Sequence, residues 1–433
     1  MDREHVFTFS LSGAPPTILR TGRDWEMMTK LIGRVAGLAA LLLAGTAQAD
    51  ELVIAGRDGV YGDALAYAID AYKKVSPDTE VELLKLPYAS LYEKLVVSLR
   101  GGADAYDVIV ADDTWMPEFT ANGWLKPVTA DLSGVIPSLT ALSKGTDGKV
   151  VALPFAGNVE MFAWRTDLFQ AAGLAAPKSW SDVVKAAETL KAKDPNVAGV
   201  VFRGTKGNPI VTGFLPIFWA HGGEVIDGSG KAALASPAGV KALQQFLALK
   251  AYAPTGVETY NATEVRDALQ QGRAAMAIEV WPAWVPSLDE ADKSKVVGKV
   301  AIGPAPGETK GPAPMLGIWQ VAVPSGAPNA EGAQKFLAFL NGAEMQKELA
   351  LRFGLPPTLT ALYADKDLVA KYRWYPDQLK ALEAGVSRPR IKQWPQVESI
   401  LGDYLQLALV GQVAPEEALK KASADIDTAL AKK

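Results

Sequence analysis

Apolar residues fall along this chain in two alternating rhythms, short continuous runs and sets spaced three or four apart. Leu52 to Ala55 is a short run, and Leu65, Ile69 and Tyr72 follow at helical spacing. Val81 to Leu86 reads as a strand, Leu91, Leu95 and Leu99 as one face of a helix, and Asp107 to Ala111 as a further strand. Short strands separated by amphipathic helices point to a parallel sheet, because parallel neighbours need a crossover between them. The rhythm continues past the middle of the chain. Ser179 and Asp182 form a capping box ahead of Val183, Val184, Ala187 and Leu190. Ser236-Pro237 sets a cap and a first-turn proline before another helix. Ala198 to Phe202 and Ala274 to Ile278 read as strands, and Leu419, Ala422, Ile426 and Leu430 share one face of a C-terminal helix. The predicted class is α/β.

The N-terminal segment breaks this rhythm. Lys30 and Arg34 precede an apolar run from Val35 to Leu43, and Ala44-Gly45-Thr46-Ala47-Gln48-Ala49 follows. That order is a secretory signal peptide with cleavage expected after Ala49, in a leader spanning residues 1–49. The run is far shorter than the roughly 18 to 20 residues of a membrane-spanning helix, so the mature chain is expected to be exported to the periplasm and not membrane-embedded. Met1 to Glu26 carries mixed charge where a signal peptide opens on basic residues, which places the expected start at Met27 or Met28. Removing the leader's 5 basic and 4 acidic residues from 44 and 48 leaves 39 against 44, a net charge of −5. This balance disfavours nucleic acid or an anionic membrane as a partner. The chain has no cysteine, hence no disulfide framework, no thiol chemistry and no residue for a lipid anchor at the cleavage site. Asp50 to Lys433 is long for one domain and suits two lobes.

In open α/β sheets ligands sit beyond the carboxyl ends of strands, so residues that follow predicted strands carry the functional information. Here they are alike in chemistry. Arg57, Asp58 and Tyr61 follow the first strand, and Asp112-Asp113-Thr114-Trp115 follow the third. Asn158 and Glu160 come after a strand near Val151 to Leu153, and Arg203 after Phe202. Glu279, Trp281 and Trp284 come next, and Trp319 closes Leu316-Gly317-Ile318-Trp319. A polyol presents many hydroxyls around apolar C–H faces, and its site combines charged and amide hydrogen-bond partners with aromatic plates. Each residue also has a plainer reading. Asp112 or Asp113 could cap a helix, Trp281 or Trp284 could be core, Arg57 and Arg203 could form structural ion pairs, and Trp164, Trp180 and Trp219 read as core. The recurrence at strand ends favours the set as a site.

At these residues the chain resembles the family 1 extracellular solute-binding proteins of bacterial ABC importers, the group that contains the maltose-binding proteins. The resemblance is carried by Tyr106-Asp107-Val108-Ile109-Val110-Ala111-Asp112-Asp113-Thr114-Trp115 with Phe119 and Gly123-Trp124-Leu125. It is carried equally by Gly148-Lys149-Val150-Val151-Ala152-Leu153-Pro154-Phe155, by Trp164-Arg165-Thr166-Asp167-Leu168-Phe169 and by Gly272-Arg273-Ala274-Ala275-Met276. It implies two lobes, each a mostly parallel sheet flanked by helices, joined by a three-segment hinge with crossovers near Gly157, Gly317 and Ala364. The first lobe would be 50–157 plus 318–364, and the second 158–317 plus 365–433. By the same resemblance the first lobe supplies Arg57, Asp58, Asp112, Asp113 and Trp115, with Trp319 beside a crossover. The second supplies Asn158, Glu160, Arg203, Glu279 and Trp281, joined by Arg388 and Trp394 after the segment Ser387-Arg388-Pro389-Arg390. The implied protein is a monomer that closes on a sugar or polyol and presents it to a membrane permease. Details of nearly every pocket loop depart from the maltose binders, so maltose itself is not implied.

Two other readings stay open. Paired carboxylates such as Asp113 and Glu160 could serve a secreted glycoside hydrolase. However, His221 is the sole histidine after the leader, and the usual nucleophile, zinc and phosphate-loop motifs are absent, so no catalysis and no cofactor or metal is expected. Acidic residues with tryptophan plates could also cage a polyamine, against which Arg57 and Arg203 argue by repulsion.

Overall fold

The structure is a computed structural model that describes residues 50–102, 104–145 and 147–432. The expected signal peptide, its cleavage after Ala49 and the starts at Met27 or Met28 lie outside the described residues. Among the described residues there are eight strands: β1 (Asp50–Arg57), β2 (Thr79–Leu86), β3 (Val108–Asp112), β4 (Leu153–Ala156), β5 (Met161–Arg165), β6 (Met276–Val280), β7 (Val300–Pro304) and β8 (Trp319–Ala322). They form one sheet in the order β2-β1-β3-β8-β4 and another in the order β6-β5-β7. The chain therefore leaves the first sheet after β4, builds the second, and returns through β8.

The α/β class is as expected, and the first sheet opens as the sequence rhythm predicts. β1 pairs in parallel with β2 and β3, with the helices Gly59–Val75 and Tyr88–Arg100 as crossovers. The returning β8 is antiparallel to both of its neighbours, β3 and β4. In the second lobe the expectation of mostly parallel pairing is corrected, because β5 enters between β6 and β7 and runs antiparallel to each. Parallel pairing there is limited, among the described residues, to isolated bridges, Ala198 with Ala274 and Val201 with Ala277 beside β6, and Ser179 with Gly307 and Met315 with Val386 elsewhere. The two bridges beside β6 are all that becomes of the strand expected at Ala198 to Phe202.

Capping follows the sequence closely. Ser179 Oγ accepts from Asp182 N at 3.0 Å and Asp182 Oδ2 accepts from Ser179 N at 3.0 Å, which starts the helix Trp180–Lys193. Ser236 Oγ accepts from Gly239 N at 3.1 Å at the head of Pro237–Ala248. Each such cap contributes about 1 kcal/mol. His221 caps the C-terminus of Asn208–Ala220, and its Nε2 lies 2.7 Å from Gln245 Oε1.

Each sheet has its own core. Leu52, Ile54, Leu65, Leu91, Val110 and Phe336 are buried together around the first. Around the second, the helix Asn208–Ala220 is buried on nearly every side, which its run of apolar residues dictates. It packs against the helices Pro237–Ala248 and Trp394–Leu409. A third cluster joins Ile136 and Leu139 to Ile302, Tyr363 and Tyr375, and ties the two sheets' layers together near the crossovers. The glycines there serve close packing and not a left-handed backbone. A Cβ on Gly157 would stand 2.3 Å from the carbonyl oxygen of Pro357, and one on Gly317 would stand 2.8 Å from the ring of Trp281.

Candidate functional site

A cavity of about 920 Å³ lies between elements of both sheets, within the size range of small-molecule sites. Its first wall is built where β1 and β8 end on either side of β3. Arg57, the last residue of β1, and Trp319, the first of β8, meet there. The Arg57 guanidinium carbon is 5.2 Å from the Trp319 ring centroid, 5.3 Å from that of Tyr88 and 5.9 Å from that of Tyr61. Asp58 accepts from Arg57 Nε at 3.2 Å, so the cation is both stacked and paired. Burial pushes the Tyr61 phenol up to about 12, and burial with the nearby Asp112 charge raises Tyr88 well above its usual value. Both phenols are therefore neutral hydrogen-bond donors at ordinary pH.

The paired aspartates at the end of β3 both reach Arg388 Nη2, at 2.9 and 3.0 Å, but only one of them lines the cavity. Asp112 lies on the cavity wall. Its Oδ1 accepts from Thr114 N at 3.0 Å and Thr114 Oγ1 at 2.9 Å, and its Oδ2 accepts from Tyr88 Oη at 3.2 Å. Asp113 is turned back into the protein, where its Oδ1 accepts from Ile318 N at 2.9 Å and its own N donates to Ile318 O at 3.0 Å. It staples β3 to the crossover that enters β8. Burial pushes its carboxyl up to about 7, against the pull of Arg388.

The second wall centres on Arg203. Its Nε donates to Asn261 Oδ1 at 2.9 Å, and its Nη1 donates to Thr212 Oγ1 at 3.1 Å and Glu279 Oε1 at 3.4 Å. Glu279 Oε2 also accepts from Arg203 N at 3.0 Å. Glu279 has φ of 62°, the only positive value at a non-glycine among the described residues. Such a backbone costs on the order of 1–3 kcal/mol and persists only when its surroundings fix it. The bonds from Arg203 and Thr212 do so, and Gly213 leaves the space, since a Cβ there would stand 2.7 Å from Glu279 Oε2. Burial raises Glu279 to about 7, and it raises Glu160 well above the ordinary carboxylate range with help from the Glu279 charge. Beyond β6, Trp281 and Trp284 line the same wall, and the Trp281 ring rests on Gly317.

The structure brings Arg57, Asp112, Asn158, Arg203, Trp281, Trp319 and Arg388 together on the cavity wall. Asp113, Glu160 and Glu279 stand behind it as buried supports, and Asp58 sits beside Arg57 with its side chain about half exposed. Trp115 packs edge-on to Trp319 at 5.9 Å and lines a separate pocket of about 200 Å³ with Tyr92 and Glu398. Trp394 is placed off the cavity: it begins the helix Trp394–Leu409 and is wholly buried in the second core. Its position one turn ahead of Val397 and Glu398 aims it inward.

The wall also contains residues that strand-end reasoning does not reach: Tyr88, Asn208, Thr212, Asn261 and Arg266. Tyr88 and Asn208 open helices and Asn261 is an N-cap, so the cleft is lined by helix starts as well as strand ends. The capping box Asn261 with Glu264 was readable in the sequence and could have located one of them. Among the described residues, no group of three or more His, Asp or Glu is placed to hold a metal ion, and no helix is long and apolar enough to cross a membrane.

Comparison with known proteins gives this geometry its context. The bacterial extracellular solute-binding protein family matches residues 58–347. A probable ABC transporter-binding protein of Deinococcus radiodurans is 29% identical over 370 residues, which cover 81% of this chain and 86% of that one. A solute-binding protein of Agrobacterium radiobacter, solved with ribitol, is 28% identical with a TM-score of 0.81 over 88% of this chain and 98% of that one. Maltose-bound MalE3 of T. maritima is 27% identical with a TM-score of 0.81, over 88% of this chain and 100% of that one. A two-lobed α/β fold with a cavity between its sheets, matched over this much of its length, makes the chain a member of the bacterial extracellular solute-binding proteins.

Proposed function

We propose that the protein captures a small, neutral carbohydrate or polyol between its lobes in the periplasm and, as a monomer, delivers it to the permease of an ABC importer. The observation that carries this reading is the pairing of walls. Trp319 with Tyr61 and Tyr88 faces the cavity on one side and Trp281 with Trp284 on the other, and Asp112, Asn158 and Arg203 stand among them. Aromatic faces cover the C–H surface of a ring or chain while the polar groups take its hydroxyls. Ribitol and maltose in the related structures are ligands of that kind.

The charge of the cavity favours a neutral ligand. Arg57, Arg203, Arg266 and Arg388 all line it, and each already faces a carboxylate: Asp58, Glu279, Asp267 and the Asp112–Asp113 pair respectively. An anion would compete with those partners, and a polyamine would meet the arginines. Lobes of 50–157 plus 318–364 and 158–317 plus 365–433 fit the division of strands between the sheets. Export with cleavage after Ala49 is expected to leave Asp50 as the first residue of periplasmic protein, which N-terminal sequencing reads directly.

The test of the ligand class is a thermal-shift screen over monosaccharides, disaccharides, pentitols, hexitols, uronates and polyamines, followed by calorimetric titration. A ligand at 100 times its Kd stabilises by about 2.7 kcal/mol. Stabilisation by a sugar or polyol is the expected result, and a response confined to uronates or polyamines overturns it.

A further inference from the structure

The segment Ser387-Arg388-Pro389-Arg390 does more than line the cavity. Its backbone is fixed beside a crossover, where Val386 N donates to Pro314 O at 2.8 Å and Leu316 N donates to Val386 O at 3.0 Å. Its far side is anchored in the second lobe, where Ile391 packs against the core that holds Trp394. From this anchorage two guanidinium groups reach residues of the first lobe. Arg388 Nη2 donates to Asp112 Oδ1 at 2.9 Å and Asp113 Oδ1 at 3.0 Å, at the end of β3. Arg388 Nη1 lies 3.5 Å from Glu398 Oε1 on the helix Trp394–Leu409, and Glu398 in turn accepts from Asn208 Nδ2 at 3.0 Å. Arg390 donates to Leu142 O at 3.1 Å and Lys144 O at 2.8 Å. These carbonyls stand at the C-terminal end of the helix Pro137–Leu142, where free acceptors and the helix dipole both favour a cation.

We infer that this segment is an interlobe clasp in which Arg388 is a positioning residue, held by Glu398 within its own lobe and joining the lobes through Asp112 and Asp113. Every group in the clasp belongs to the protein. The Arg388 side chain is 2% exposed, so separating the lobes along this line pulls a buried charge away from partners that are themselves buried. The clasp therefore biases the opening equilibrium by its own strength, and a ligand adds to a bias that already exists. It also holds Asp112 at the cavity in one orientation, because one oxygen is committed to Arg388 and Thr114. The inference depends on the two-lobe fold and is independent of which solute binds.

The experiment measures lobe separation without any added solute. The chain has no cysteine, so Val97→Cys on the first lobe and Val410→Cys on the second, 74% and 38% exposed, accept a pair of spin labels cleanly. Distance distributions are recorded for the mature parent protein and for Arg388→Met and Asp113→Asn. Asp113 does not line the main cavity. Both substitutions remove an interlobe bond and are expected to move the closed-to-open ratio toward open by about tenfold or more, the equivalent of one hydrogen bond to a charged group. Arg388→Lys keeps the charge and is expected to recover part of the closed population. Melting curves identify any variant that does not fold, and if Arg388→Met fails, Asp113→Asn decides. Distributions that match the parent in the folded variants overturn the clasp and leave Arg388 as a cavity residue alone.

Discussion

Glu160 and Glu279 are both about 1% exposed and have one nearby guanidinium, that of Arg203, to balance them. One positive charge cannot neutralise two buried carboxylates, so one of them keeps its proton. The hydrogen bonds identify which. Glu279 takes the Arg203 N–H, the Arg203 Nη1 and the Thr212 hydroxyl, whereas Glu160 Oε2 is buried with no donor. Burial and the Glu279 charge both push Glu160 upward from its ordinary 4.5. Glu160→Gln then exchanges a neutral acid for a neutral amide of the same shape, and the expected stability change near pH 7 is within about 1 kcal/mol. Were Glu160 an ionised partner of Arg203, its removal would cost about 3–5 kcal/mol. The pH dependence supplies a second reading with a definite sign. Above pH 4.5 the unfolded chain has released a proton that folded Glu160 still holds, so the wild type loses stability as pH rises toward the folded pKa. The limiting slope for one such proton is about 1.4 kcal/mol per pH unit. Glu160→Gln removes that contribution and leaves those of Asp113 and Glu279, which burial pushes up to about 7. Denaturant unfolding of both proteins at several pH values reads it, and either a loss of several kcal/mol at pH 7 or an unchanged slope refutes the reasoning.

Trp281→Ala is expected to weaken ligand binding by about 0.5–1.5 kcal/mol or more, because the half-buried ring is a wall of the cavity. Calorimetric titration beside a melting curve checks this, and wild-type affinity in a destabilised variant would assign the ring to packing instead. Gly157→Ala and Gly317→Ala should differ in kind. The methyl at 157 would meet backbone at 2.3 Å and is expected to lower the melting temperature more, while the methyl at 317 meets the Trp281 ring at 2.8 Å and should act mainly on affinity.

The parts of the fold most legible in the sequence were those decided locally. The run Val108 to Asp112 and the serines at 179 and 236 fix their strand and helix starts with groups a few residues away, so pattern alone finds them. The direction of pairing in the second sheet was not local. β5 is a five-residue strand whose partners lie at 276–280 and 300–304, more than a hundred residues downstream, and nothing within Met161 to Arg165 states which way they run.

The same distinction explains the site. Chemistry at strand ends named the residues around the cleft, and yet which carboxylate of a neighbouring pair lines the cavity depends on what the other one supports. Asp113 is drawn inward by the backbone of Ile318, from a segment two hundred residues away, and Glu279 by Arg203 and Thr212. These supports carry the same residue types as the wall, so composition cannot separate the two layers. Burial separates them, because a carboxylate taken out of water survives only with donors around it or with its proton retained. Asp113 takes the first course, Glu160 the second, and both leave Asp112 and Asn158 as the polar groups that face the cavity near the crossovers. The polar wall is thus set by a buried layer that stands behind the cavity lining. Substitutions in that layer are expected to alter affinity through the position of the wall, in the same way for every ligand the cavity accepts.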